Sequence, residues 1–233
     1  MKKSPQIVKF LNVFAFVCLL NLSLQAQVSF VLSQTPGVGV DPNGVTAADV
    51  NGDGKVDLLC ANYDDDTVSV LTNNGHGYFS MSGTYPAGDN PWGPIIADVY
   101  GNGRPALICA TFNGNALTIL TNNGTGAFSI ASSLPVGDNP VNPAAADING
   151  DNKIDLICPN LSDNTITVLT NNGAGKFALS GNYVVGTYPL RICVADVNND
   201  GKPDIITALV LPMAAQWRQS VRRHQPLLCD HQS

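Results

Sequence analysis

The stretch DVNGDGKVD, Asp49 to Asp57, decides how this chain is read. It carries oxygen-bearing side chains at its first, third, fifth and ninth positions, with a glycine, Gly54, after the third of them. Forty-nine residues later the chain reads DVYGNGRPA, Asp98 to Ala106. The same step leads to DINGDNKID, Asp147 to Asp155, and then to DVNNDGKPD, Asp196 to Asp204. A constant period is the mark of a repeat architecture, so the unit of folding is one repeat.

The second unit serves as the template. PIIADV (Pro94 to Val99) is a short apolar run, followed by the loop YGNGR. ALICAT (Ala106 to Thr111) is a second run, bounded by FNGN. ALTILTN (Ala116 to Asn122) alternates apolar and polar residues, NGTG turns the chain, and AFSIASSLP (Ala127 to Pro135) forms the fourth run. Short runs rich in branched residues, separated by Asn-Gly turns, predict strands. The turn itself recurs as NNGHGYF, NNGTGAF and NNGAGKF, ending at Phe79, Phe128 and Phe177. Phe30 stands in register with these, which predicts a strand over Val28 to Thr35, and Pro42, Pro91, Pro140 and Pro189 share one register as well. The fold class expected is all-β. Four antiparallel strands in a unit of this length make a β-propeller blade, with the phenylalanines packed between blades.

Alternate positions of a tight loop can turn their oxygens inward. Calcium takes six to eight oxygen ligands from carboxylates, amides, backbone carbonyls and water. The candidate ligands in the first loop are Asp49, Asn51, Asp53 and Asp57, with the carbonyl of Lys55. Asp147, Asn149, Asp151, Asp155 and Lys153 repeat the set, as do Asp196, Asn198, Asp200, Asp204 and Lys202. An EF-hand needs a Glu at the twelfth position, where this chain has Cys60, Cys158 and Thr207, so that motif is excluded. The competing reading is a plain hairpin turn, which favours Asn-Gly and Asp-Gly for its own reasons. The second loop weighs against it. Gly101 and Gly103 remain there, while Tyr100, Asn102 and Ala106 replace the Asn and two Asp of the others. A turn can evidently dispense with those acids. Several carboxylates crowded in nine residues repel one another unless a cation sits among them. Calcium is the expected cofactor of the first, third and fourth loops. Magnesium fits less well, because it demands strict octahedral geometry and keeps its water.

Composition agrees with an exported protein. The first 26 residues read as a secretory signal: Lys2, Lys3 and Lys9, then the apolar run Phe10 to Leu20, then SLQA ending at Ala26. That run is too short to span a bilayer, and no other transmembrane segment is expected. Residues 27–206 carry six Lys or Arg against seventeen Asp, and the chain has no Glu. An acidic surface excludes nucleic acid as a partner, since that needs a basic footprint. Cys60, Cys109 and Cys158 occupy one repeat position inside apolar runs and are expected to be buried free thiols.

The pattern AD-[VI]-N-[GN]-D-[GN]-K-x-D, a strand, then NNGxGxF, resembles the FG-GAP/VCBS repeat of integrin α-subunits and many secreted bacterial proteins. The resemblance covers residues 28 to 208. It implies β-propeller blades, usually seven to a ring, with calcium in the loops between the first two strands of each. Seven such units need about 340 residues, so the expectation is a partial ring of about four; the alternative is a closed four-bladed ring whose last blade the strand over Val28 to Thr35 completes. After Ala208 the repeat pattern stops, and residues 209–233 read as a non-repeat tail, as a shifted frame or a truncated copy would leave. The resemblance implies adhesion or ligand binding, with a protein or glycan at the cell surface as partner. Trp92, Tyr63, Tyr85, Tyr188 and Asp64 to Asp66 are the candidate contacts. An enzyme is not expected. His76 is the only His of the repeats and sits on a turn, and the carboxylates are committed to loops and turns. A structural part of a longer repeat protein is the remaining reading.

Overall fold

The structure is a computed structural model that describes residues 34–209. The expected signal segment, nearly all of the strand over Val28 to Thr35, and the tail beyond Leu209 lie outside the described residues. Within them the chain is all-β. One sheet holds β1 (Pro42–Ala48), β2 (Asp57–Asn62), β3 (Thr67–Asn73) and β4 (Phe79–Pro86). The next holds β5 (Pro91–Ala97), β6 (Ala106–Thr111), β7 (Ala116–Asn122) and β8 (Phe128–Pro135). The third holds β9 (Ala144–Ala146), β10 (Asp155–Asn160), β11 (Thr165–Asn171) and β12 (Phe177–Val184). In the fourth, β13 (Pro189–Ala195) pairs with β14 (Asp204–Leu209), and no third strand is present among the described residues. Each sheet is an antiparallel meander in chain order, which is the topology of a propeller blade.

The strands of the second blade lie close to where the sequence puts them, with one shift. The inner strand β5 starts at Pro91, three residues before the expected PIIADV, and ends at Ala97 because Asp98 already turns into the loop. A bulge between Trp92 and Ile95 absorbs Gly93 and Pro94, with Gly93 at φ 55°. The bulge carries the pairing across Gly93 and Pro94 back to Pro91. A second bulge recurs at one place in all three complete blades, between Val70 and Leu71, Ile119 and Leu120, and Val168 and Leu169.

The middle strands β6 and β10 are buried along their whole length, so ALICAT and DLICPN are apolar on both faces. The core is divided among the blade interfaces. Val50, Leu59, Val68 and Val70 of the first blade pack with Leu107, Cys109, Leu120 and Phe128 of the second. Val99, Ile108, Leu117 and Ile119 pack with Leu156, Cys158 and Leu169 of the third, where Phe177 joins them. Ile157, Ile166 and Val168 meet Ile192, Val194 and Ile205 of the last. Phe128 and Phe177 therefore pack between blades, as expected. Cys60, Cys109 and Cys158 are buried free thiols. Burial pushes the Cys109 thiol up to about 12 and raises Cys60 and Cys158 as well.

The meander sends successive connections to alternate ends of each blade. The acidic loops after the inner strands and the NNGxGxF turns share one end. The β2–β3 hairpins and the links between blades share the other.

Candidate metal centre

Each acidic loop is held by its own side chains. In the first, Asp49 accepts hydrogen bonds from the N–H of Gly52 on Oδ1 and of Gly54 on Oδ2, both at 2.8 Å. Asn51 Oδ1 accepts from Asp53 N at 3.0 Å, and Asp53 Oδ1 from Lys55 N at 2.9 Å. The third loop repeats the set. Asp147 accepts from Gly150, Asp151 and Asn152, Asn149 from Asp151, and Asp151 from Lys153. In the fourth, Asp196 accepts from Asp200 and Gly201, Asn198 from Asp200, and Asp200 from Lys202. Positive φ at Gly52 and Gly54 (78° each), Asn152 (63°) and Asn199 (61°) lets the backbone N–H groups face inward.

These bonds shape the acidity of the loop. The N–H of Lys55 holds the Asp53 carboxyl below its usual range against a partial desolvation. Desolvation pushes the Asp147 carboxyl up, but bonds from Asn152, Gly150, Asp151 and Asn149 outweigh it and leave the group lowered. Lys55 Nζ stands 3.3 Å from Asp53 Oδ2, and Lys153 Nζ 3.4 Å from Asp151 Oδ2.

The ninth position is a different kind of group. Asp57 and Asp155 are 0% exposed. Asp57 accepts from Val50 N (3.2 Å) and from Asn73 N (2.9 Å). Asp155 accepts from Ile148 N (3.1 Å) and from Asn171 N (2.8 Å). Asp204 accepts from Val197 N at 3.0 Å. The first two tie the mouth of their loop to the end of the third strand. Where the second blade has Ala106 instead, Val99 N turns to the carbonyl of Ala97 at 3.1 Å.

The donor set consists wholly of oxygen, which suits a hard cation. An oxygen that accepts N–H groups of its own loop lies on the loop's inner side and keeps a second lone pair. Asp49, Asn51 and Asp53 thus match calcium by donor type. Among the described residues no three carboxylates converge on one point, because Asp57 is drawn toward the interior. The ammonium groups of Lys55 and Lys153 rest where a cation would compete with them.

The second loop shows how much of this a turn needs. Asp98 accepts from Asn102 N and Gly103 N, and Asn102 Oδ1 accepts from Arg104 N. The turn is intact with a single carboxylate. Tyr100 lies against Gly175 of the following blade, so closely that a Cβ there would collide with the ring.

One set of residues was read only as turn chemistry. Both Asn of the turn NNGxGxF accept from it through Oδ1, Asn123 and Asn172 from Thr125 N and Ala174 N, Asn122 and Asn171 from Gly124 N and Gly173 N. The first Asn of each pair also reaches beyond the turn through Nδ2. Asn122 Nδ2 donates to the carbonyl of Val50 at 2.7 Å, across the blade boundary. Asn171 Nδ2 donates to Val99 O at 2.7 Å and to Ile154 O at 2.9 Å. Asn73 Nδ2 donates to Val56 O. The doubling of Asn was the available signal.

At the opposite end, Tyr63, Trp92 and Phe112 form a cluster with ring centroids 5.6 to 6.1 Å apart. Burial first, then the charges of Asp64, Asp41 and Asp89, raise the Tyr63 phenol. Asp65 and Asp66 accept from Val40 N and Asn90 N, so they serve the links between blades. Tyr85 packs on Phe128 in the core, and Tyr188 is exposed.

Repeated four-stranded meanders, with an acidic loop after each inner strand, define an all-β protein of propeller blades. The sequence matches the FG-GAP-like repeat over residues 49–109, 98–158 and 153–207, and the chain belongs to that family. No curated protein matches it. Among solved structures it is similar to a functionally unknown protein from Desulfotomaculum acetoxidans, at 15% identity and a TM-score of 0.50, over 62% of this chain and 43% of that one. It is similar also to BBS1N solved in complex with ARL6DN (20%, TM-score 0.50, 74% and 52%). A protein from Lactobacillus plantarum gives 11%, TM-score 0.51, and coverage of 76% and 58%. The chain spans about half the length of these structures. At such identities the likeness is one of fold. Among the described residues no helix is long and apolar enough to cross a membrane.

Proposed function

We propose that this chain is a secreted, calcium-binding β-propeller repeat protein that acts as a non-catalytic binding module for a protein or glycan at the cell surface. The observation that carries the metal half is the second loop. It keeps the hydrogen-bonded turn with Asp98 alone, so the extra acids of the other three loops answer to something other than turn formation. Calcium supplies a reason, because it offsets the mutual repulsion of those carboxylates. Asp49, Asn51 and Asp53, with the Lys55 carbonyl, would hold it in the first loop while Asp57 fixes the loop mouth from the interior, and their counterparts would do so in the third and fourth. The binding half is supported by the fold, which presents many loops on a rigid body. BBS1N, solved in complex with ARL6DN, has a similar fold.

Calorimetric titration of the full chain with calcium tests this, together with thermal melts in calcium and in chelator. A ligand that binds only the folded state raises the melting temperature by mass action. About three sites and a higher melt in calcium are expected. A cooperative melt indifferent to calcium, with no heat of binding, would overturn it. A second reading, a structural part of a longer repeat protein, has its own support: Val197 is 63% exposed where Val50 and Val99 are 1% exposed, as if a further blade belonged there.

A further inference from the structure

The acidic loops are not built by their own blades alone. Val50 and Val99, the second residues of the first two loops, are each 1% exposed, and the turn of the following blade covers them. Asn122 donates to Val50 O and Asn171 to Val99 O, both at 2.7 Å, buried, and 72 residues apart in the chain. Gly126 lies within 3.6 Å of both Asn51 and Val50, measured from where its Cβ would stand. The cover fades along the chain: Ile148 is half-buried and Val197 exposed. The position 49 residues beyond Asn171 is Ser220, outside the described residues, so the sequence has no Asn there to serve Ile148.

We propose that Asn122 is a positioning residue for the loop of the preceding blade, Asp49 to Asp57, and that Asn171 positions two loops at once. The Val50 carbonyl lies between Asp49 and Asn51, the first two ligands of the proposed site. Fixing that carbonyl fixes the peptide from which both side chains project. Asn122 Oδ1 is engaged separately, by Gly124 N at 2.8 Å, so its two ends hold the turn and the neighbouring loop together. The two hydrogens of the Asn171 amide go to different blades, to Val99 O and to Ile154 O. Adjacent loops are therefore stapled through one side chain, and ordering one favours order in the next. The metal consequence rests on the calcium reading above, but the positioning itself does not.

The test uses the full chain with Asn122→Asp and Asn122→Ala. The first keeps an acceptor for Gly124 N and loses the donor to Val50 O; the second removes both. Amide hydrogen exchange in chelator is followed by mass spectrometry over residues 49–57 and 147–155. Loss of one buried hydrogen bond is expected to speed exchange of the Gly52 and Gly54 amides about five- to tenfold, leaving residues 147–155 unchanged. With calcium, one site of the set is expected to weaken by a similar factor. Exchange over 49–57 that matches the parent in both variants would overturn the proposal. So would equal acceleration of both loops in both variants, which would make Asn122 a general packing residue. If the parent takes no calcium, the metal reading fails, and exchange in chelator still decides the role of Asn122.

Discussion

Replacing Asp155 by Ala isolates what a buried carboxylate does for one blade. Both of its oxygens accept backbone N–H groups, from Ile148 at one end of the loop and Asn171 at the end of β11, and its side chain is 0% exposed. Alanine would leave two interior donors without an acceptor. Each such donor costs about 1–3 kcal/mol. The second blade indicates how much can be recovered, because with Ala106 there Val99 N turns to Ala97 O. If Ile148 N relaxes in the same way, one donor remains, and the net loss is about 1–3 kcal/mol. For a domain of this size that corresponds to a fall of roughly 3–10 °C in melting temperature. The assay is a thermal melt of the full chain with chelator present, so that any metal contribution of Asp155 is removed from both arms. Asp155→Asn, which keeps one acceptor, is expected to lose about half as much. An Asp155→Ala variant melting within about 1 °C of the parent would refute the reasoning, since the two hydrogen bonds would then contribute nothing net.

Three further outcomes follow from the same packing. Gly175→Ala places a Cβ against the Tyr100 ring at a residue with φ 68°, and a loss of about 1–3 kcal/mol is expected by denaturant titration. Among the described residues, brief alkylation of the native chain at pH 8 is expected to label Cys193, which is exposed, and to spare Cys60, Cys109 and Cys158. Peptide mass spectrometry reads this directly. The lowered Asp53 and Asp147 carboxyls stabilise their loops above the unfolded value near 3.8, and that contribution is lost as pH falls through their lower folded values. Protection of the amides over residues 49–57 and 147–155, relative to intrinsic exchange at each pH, is therefore expected to fall below about pH 4, with little change between pH 5 and 8.

Most of the blade was legible because its signals are local. Asn-Gly turns, short branched runs and a constant spacing act within a dozen residues, and the strands of the second repeat fall close to their expected limits. The inner strand begins three residues before the expected run, because a bulge at Gly93 and Pro94 lets pairing continue past them to Pro91. The buried role of Asp57 and Asp155 was hidden by their chemistry. A carboxylate in an acidic loop reads as a ligand, and only burial with two backbone donors shows its structural task. The reach of Asn122 to Val50 was hidden by distance in sequence. Nothing within one repeat shows that a turn closes over the loop of another.

The same geometry accounts for the one loop that departs from the pattern. Tyr100 replaces an Asn whose amide accepts from the loop in the other blades, and in return its ring fills the space against Gly175. Ala106 removes a buried carboxylate, and Val99 N finds a backbone acceptor nearby. Asn102 keeps the bond from Arg104 N that an Asp makes elsewhere. Each change therefore spares the turn and subtracts charge from the loop mouth. A loop that needed its acids to fold could not have made all three. Asp49 and Asp53, and Asp147 and Asp151, accept the same backbone N–H groups that Asp98 and Asn102 accept in the second loop, so the charge they add goes beyond what the turn needs.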